Sequence, residues 1–179
     1  MIFTNTNLEG VYLINYTRFQ DRRGEFVKTI HSEEFENAKL DYAFRESFYS
    51  TSQKDVIRGM HFQDQPNDHC KLVNLVMGKI LDVVVDLRNN SSTFGQYFSA
   101  ILTKDNPQGL YIGKGFAHGF LSLESDSIIE YHTTTVQNKS SENGIRFDSF
   151  DFDWGISSPI MSERDMLLEP FQKDKIYFK

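Results

Sequence analysis

The run Val56-Ile57-Arg58-Gly59-Met60-His61-Phe62-Gln63, followed by Lys71-Leu72-Val73, places a base, two cations and an amide on neighbouring strands. Such a group is suited to enolising a ketone. An imidazole, with an ordinary pKa of about 6.5, is largely neutral at pH 7 and takes a proton from carbon beside a carbonyl. A lysine ammonium holds the charge that builds on the oxygen, and an arginine grips an anionic handle. Three further parts are required: a carboxylate to orient the histidine, an acid to return the proton on the other face, and a pocket.

Strand patterns must position these groups. Runs at 10–16 and 24–30 flank the polar turn Asp21-Arg22-Arg23, and others follow at 44–51, 56–62, 71–77, 79–87, 96–102, 109–112, 116–123, 128–134 and 145–147. About ten strands predict an all-β jelly roll, a sandwich or barrel. Met77-Gly78 predicts a tight reversal. Short peripheral helices are expected at 32–38, capped by Ser32, and at 162–168, opened by Ser162-Glu163-Arg164-Asp165. Alternation puts Lys71, Val73 and Leu75 on one face, so Lys71 points inward with core residues. Asp82 and Asp86 share a face among valines, so at least one is expected to be buried and paired with a histidine or an arginine.

A chain of 179 residues is long enough for one domain, 1–179, burying about 70% of the surface its unfolded form exposes. Four prolines against 16 phenylalanines and 8 tyrosines suit an all-β chain. The net charge of -6 argues against a nucleic-acid partner, so an anionic ligand must be met by local Arg and Lys. The single cysteine, Cys70, excludes an intramolecular disulfide framework. The N-terminus lacks a basic, then apolar, leader pattern, and no apolar run approaches the ~18 residues of a membrane span. The expectation is a cytoplasmic protein with no membrane partner.

Several motifs in one order carry a resemblance over nearly the whole chain. They are Phe19-Gln20-Asp21-Arg22-Arg23-Gly24-Glu25-Phe26, Arg58-Gly59-Met60-His61-Phe62-Gln63, Lys71-Leu72-Val73, Asp82-Val83-Val84-Val85-Asp86-Leu87-Arg88, Ser92-Thr93-Phe94-Gly95, Gly115-Phe116-Ala117-His118-Gly119-Phe120, Tyr131 and Ser162-Glu163-Arg164-Asp165. Together they resemble the dTDP-4-dehydrorhamnose 3,5-epimerase family. The resemblance implies a cupin-like jelly roll, a homodimer with exchanged N-terminal strands, and an isomerase needing no cofactor and no metal. It implies that His61 is the base, Asp165 its orienter, Tyr131 the acid on the opposite face and Lys71 the partner of the enolate oxygen. Glu46, Arg58, Gln63 and His118 would contact substrate in the pocket, and Arg23 and Phe26 the nucleotide end from the partner subunit.

The implied reaction inverts C3, C5 or both in a nucleotide-diphosphate-linked 4-keto-6-deoxyhexose, for a deoxysugar destined for a polysaccharide or glycoside. Two-sided proton transfer is essential, since one base returning its own proton restores the starting configuration. Departures from the family pattern fall on the substrate side. Glu46-Ser47-Phe48 replaces an amide-rich run, Lys28 a glutamate, and Val136-Gln137 a tyrosine pair. These leave open a mono-epimerase acting on a non-thymidine carrier. A metal-dependent cupin is a weaker rival, because Gln63 stands where a second histidine ligand belongs. A non-catalytic sugar-nucleotide binder is the third reading, and it gives no reason to keep an acid opposite a base.

Overall fold

The computed structural model describes residues 1–178. One six-stranded sheet runs in the order β1 (Ile2–Asn5), β2 (Val11–Asn15), β10 (Gln108–Ile112), β7 (Lys71–Met77), β12 (Ser127–Thr133) and β5 (Glu46–Ser52). A five-stranded sheet runs β13 (Glu142–Gly144), β6 (Ile57–Gln63), β11 (Phe116–Ser122), β8 (Lys79–Asp86) and β9 (Tyr97–Thr103). A separate hairpin joins β3 (Arg18–Asp21) to β4 (Gly24–Val27), and the helices are α1 (Ser32–Asn37) and α2 (Glu163–Met166). Two facing antiparallel sheets with crossing connections make the cupin-like jelly roll that the strand pattern predicts.

The central core lies between the sheets. Val73, Leu75, Leu110 and Ile129 from the six-stranded sheet meet Ile80, Val84, Leu102 and Phe120 from the other. Alternation along β7 works as expected, since Leu72 points the other way and packs with Ile14, Phe35 and Tyr111. Beyond Gly144 the chain supplies Ile145, Phe150, Trp154 and Phe178, which cover the outer face of the five-stranded sheet over Met60, Val83 and Val85. Each of these large side chains, moved from water to a packed interior, contributes about 1.5–3 kcal/mol.

Four local expectations are corrected. The chain does turn at Gly78, whose φ of 87° suits glycine, but β7 and β8 belong to different sheets, so the bend is a corner between layers and no hairpin. The first helix is capped at His31, without a side-chain cap bond. The strand expected at 145–147 lies at Glu142–Gly144, where backbone pairing with Phe62 and its neighbours outweighs the lack of apolar alternation. The four-residue strands β1 and β3, with no buried residue in either, were not anticipated because they are too short to show an alternating pattern in the sequence.

An irregularity on β6 bears directly on the site. His61 pairs with His118 and Arg58 with Phe120, so β6 holds one residue more than β11 between the two pairs. In a regular strand Arg58 and His61, an odd number of positions apart, would face opposite sides. The bulge puts both on the interior side. Gly59 permits it: its φ is 131°, and a Cβ there would lie 2.5 Å from the Gly119 Cα.

Candidate active site

One cavity of about 560 Å³ opens between the sheets, within the range of small-molecule sites. Its lining includes Glu46, Arg58, His61, Gln63, Lys71, His118, Tyr131 and Asp165. Eight of the ten anticipated site residues thus converge there. Arg23 and Phe26 do not, being on the exposed β3–β4 hairpin, where Arg23 pairs with Asp21 at 2.6 Å and the Phe19 and Phe26 rings lie 6.5 Å apart.

His61 and Tyr131 come from opposite walls, β6 of one sheet and β12 of the other. His61 Nε2 lies 2.7 Å from Asp165 Oδ1. The other carboxylate oxygen of Asp165 accepts the Gly59 N–H at 3.2 Å. Burial opposes the charge on Asp165, but the hydrogen bonds from His61 and Gly59 and the nearby Ser162 outweigh it, and the carboxyl lies below its ordinary value. It is therefore an anion at neutral pH, so Nε2 of His61 carries the proton and Nδ1 keeps a lone pair. Ser162 caps α2 by accepting the Asp165 backbone N–H at 3.1 Å, which fixes the helix that delivers this carboxylate.

Lys71 stands half-buried at the start of β7. Burial lowers its ammonium, against the attraction of Asp82, to a pKa of about 8. Asp82 is wholly buried and takes His118 Nε2 at 2.9 and 3.1 Å, while Asp86 takes Arg88 at 2.7 Å together with Ser91 and Thr93. Both aspartates are thus paired, one with a histidine and one with an arginine. Burial also lowers the His118 imidazole and pushes the Tyr131 phenol above its ordinary value, so the phenol is protonated across the working pH range.

Glu46 does not pair with Arg58. Its carboxylate accepts the Gln137 backbone N–H at 2.8 Å, whereas Arg58 bonds to Ser52 Oγ and the Thr51 carbonyl, each at 3.0 Å. Phe48 stacks on Tyr131 with ring centroids 4.9 Å apart and planes 18° apart. Sequence reasoning missed Ser50, His69, Thr133 and Glu142 as lining residues. Ser50 and Thr133 were within reach of it, since each lies two positions from an anticipated or anomalous residue on its strand. No three His, Cys, Asp or Glu side chains converge as a metal site among the described residues. No helix among them is long and apolar enough to cross a membrane.

Two facing sheets around a pocket that holds an oriented imidazole, a half-buried ammonium and a buried phenol place this chain among cupin-like enzymes. The chain belongs to the dTDP-4-dehydrorhamnose 3,5-epimerase family, whose model matches residues 5–173. It is 35% identical to the dTDP-4-dehydrorhamnose 3,5-epimerase of Methanothermobacter thermautotrophicus, over 98% of this chain and 97% of that one. The crystal structure of the same enzyme from Elizabethkingia anophelis superposes with a TM-score of 0.91 at 36% identity, covering 99% of each chain. A 3,5-epimerase from Legionella pneumophila, solved in complex with dTDP-4-keto-L-rhamnose, has a TM-score of 0.90 at 31% identity over 94% of this chain and 92% of that one.

Proposed function

We propose that this chain epimerises a nucleotide-diphosphate-linked 4-keto-6-deoxyhexose at C3, C5 or both, with thymidine as the carrier that its relatives' names indicate. The observation that carries the reading is the placement of an Asp165-oriented His61 and a protonated Tyr131 on opposite walls of one cavity, with Lys71 between the sheets beside them.

In the proposed reaction His61 Nδ1 removes the proton from the carbon beside the C4 ketone, and Asp165 stabilises the imidazolium that forms. Lys71 faces the oxygen on which the enolate charge accumulates. The Tyr131 phenol then returns a proton to the other face of the ring, and the carbon is inverted. Arg58 and His118 contact substrate within the pocket. Gln63 and Glu46, whose side-chain groups are taken up by Asn138 and Gln137, act by shaping the wall.

The nucleotide end is assigned to a second copy. A two-stranded hairpin is marginal in water by itself, and this one exposes Phe19 at 63% and Phe26 at 59%. β1 already pairs with β2 of its own chain, which leaves the β3–β4 hairpin as the N-terminal segment free to reach a partner. In the proposed homodimer Arg23 and Phe26 close the partner's pocket over the nucleotide. Mass measurement in solution tests the dimer, and Arg23→Ala is expected to raise KM with little change in kcat.

Proton NMR in D₂O with nucleotide-linked 4-keto-6-deoxyglucose, on thymidine, cytidine and guanosine carriers, tests the reaction. Loss of the C3 or C5 signal is expected with at least one carrier, and the signals that vanish identify the centres. Persistence of both signals with every carrier would sink the reading.

A further inference from the structure

Three imidazoles line the cavity, and in each the partner of one ring nitrogen dictates what the other presents. For His61 and His118 that partner is a carboxylate on Nε2, which fixes the proton there and leaves Nδ1 as a lone pair. His69 is different. Its hydrogen-bond contacts with described residues fall on Nδ1, the shortest being 3.1 Å from Gln63 Nε2. That amide is not free to flip: Gln63 Oε1 accepts the Asn138 N–H at 2.6 Å, and Gln63 Nε2 donates to the Asn67 carbonyl at 2.8 Å. The nitrogen facing His69 is thus donor-only, so across this contact Nδ1 offers a lone pair. Thr135 Oγ1 gives its own proton to the Asn67 carbonyl at 2.9 Å and could only accept from Nδ1, across 3.3 Å; the shorter contact with the Gln63 amide, at 3.1 Å, outweighs it. The ring proton belongs on Nε2, for which no protein partner exists among the described residues.

We propose that His69 is a fixed neutral donor which holds, through Nε2–H, the substrate oxygen that Lys71 also faces, the ketone oxygen that becomes the enolate. This rests on the epimerase reading above. His69 and Lys71 are two positions apart and line the same cavity. Burial, with the positive charges of Lys71 and Lys114 alongside, pushes the His69 imidazole down to about 3, so it adds no second cation beside Lys71. A hydrogen bond from a neutral donor strengthens as charge grows on the acceptor, which favours the enolate over the ketone. No proton leaves His69: the carbon-bound proton goes to His61, and the electron pair goes to the oxygen held by Lys71 and His69. Gln63 becomes the positioning residue for this donor.

The test combines ¹⁵N-histidine NMR with deuterium exchange at the substrate. The spectrum is expected to show His69 as the neutral Nε2–H tautomer, unchanged between pH 5 and 9. His69→Leu is expected to slow exchange on the order of 10²-fold with little change in KM, and His69→Gln, which keeps an N–H donor, to recover most of the rate. A folded His69→Leu enzyme with the wild-type kcat overturns the inference while leaving the epimerase reading intact. If His69→Leu does not fold, His69→Asn and His69→Gln carry the comparison, and equal loss in both overturns it. Wild-type protein that exchanges nothing strikes the epimerase reading itself. The spectrum then decides the donor separately, because a proton on Nδ1 or a charged ring overturns it.

Discussion

His61 and His118 stand opposite one another in the β6–β11 register, and each is hydrogen-bonded through Nε2 to an aspartate. The two pairs are chemically alike and differently placed. The His61 side chain is 34% exposed and faces the cavity, with a carboxylate delivered by a distant helix. That of His118 is 5% exposed, and its carboxylate belongs to the neighbouring strand β8. Asp165 is further held by Gly59, whereas Asp82 also supplies negative charge near Lys71. Access and surroundings, rather than the pairing itself, suit one imidazole to move a proton and the other to stay neutral and hold its shape.

The strongest way to break this contrast is to remove the two carboxylates separately. Asp165→Asn takes away the charge that supports an imidazolium and frees the His61 tautomer, so kcat is expected to fall by about 10³–10⁴-fold. Asp82→Asn leaves His61 untouched and is expected to cost about tenfold at pH 7. Steady-state epimerisation rates decide it. Equal losses would show that both pairs serve the same purpose.

Tyr131→Phe sharpens the contrast between the walls. In the proposed reaction, with the phenol gone, His61 is expected still to remove the proton and to return it only to the face it came from. Inversion is expected to fall by about 10²-fold or more, while deuterium still enters at the same carbon. The ratio of exchange to inversion, read by NMR, is the measurement, and parallel loss of both would place Tyr131 outside the reprotonation step.

The Asp82 pair should show itself in the pH profile. Lys71, lowered by burial to about 8, loses its charge as pH rises through that value, so kcat is expected to decline above pH 8. Asp82 opposes the lowering, and Asp82→Asn should therefore move the limb below 8. Stability runs the other way. The unfolded lysine keeps its proton to an ordinary value of 10.5, so between pH 8 and about 9.5 the unfolded state binds more protons and stability rises with pH. The Cys70 thiol near pH 9 and the buried tyrosines near pH 10, all raised by burial, begin to oppose it. Urea midpoints at pH 7.5 and 8.5 are expected to differ in that direction, and Lys71→Met should abolish the difference.

The approximate number of strands, inward alternation at Lys71 and the burial of a paired aspartate at Asp82 or Asp86 were legible because period-two patterns and buried charges have direct sequence signatures, although the partners were not. The convergence of Arg58 with His61 was not, since it depends on a one-residue bulge that the spacing itself argues against. The corner at Gly78 shows the same limit: a turn residue marks a change of direction without saying whether the next strand pairs or crosses to the other sheet. His69 lies outside any strand, and its meaning depends on Gln63, Thr135 and Asn138, which the chain brings together only through the fold.

Phe48 offers the finest probe of the Tyr131 wall. Its ring lies nearly parallel to the phenol and, at 46% exposed, covers it while remaining open to the cavity. An aromatic pair of this kind contributes about 0.5–1.5 kcal/mol beyond its buried area, enough to hold a ring orientation and too little to hold the fold. Phe48→Leu keeps an apolar cover but loses the flat face, so Tyr131 gains freedom about its side-chain torsions. Inversion is expected to fall by about three- to tenfold, exchange by less, and the unfolding midpoint hardly at all. In the proposed reaction a misaligned acid affects only the step in which it donates, which follows proton removal by His61. If Phe48→Leu instead slows exchange and inversion equally, the ring acts on substrate binding, and the phenol must owe its orientation to β12 alone.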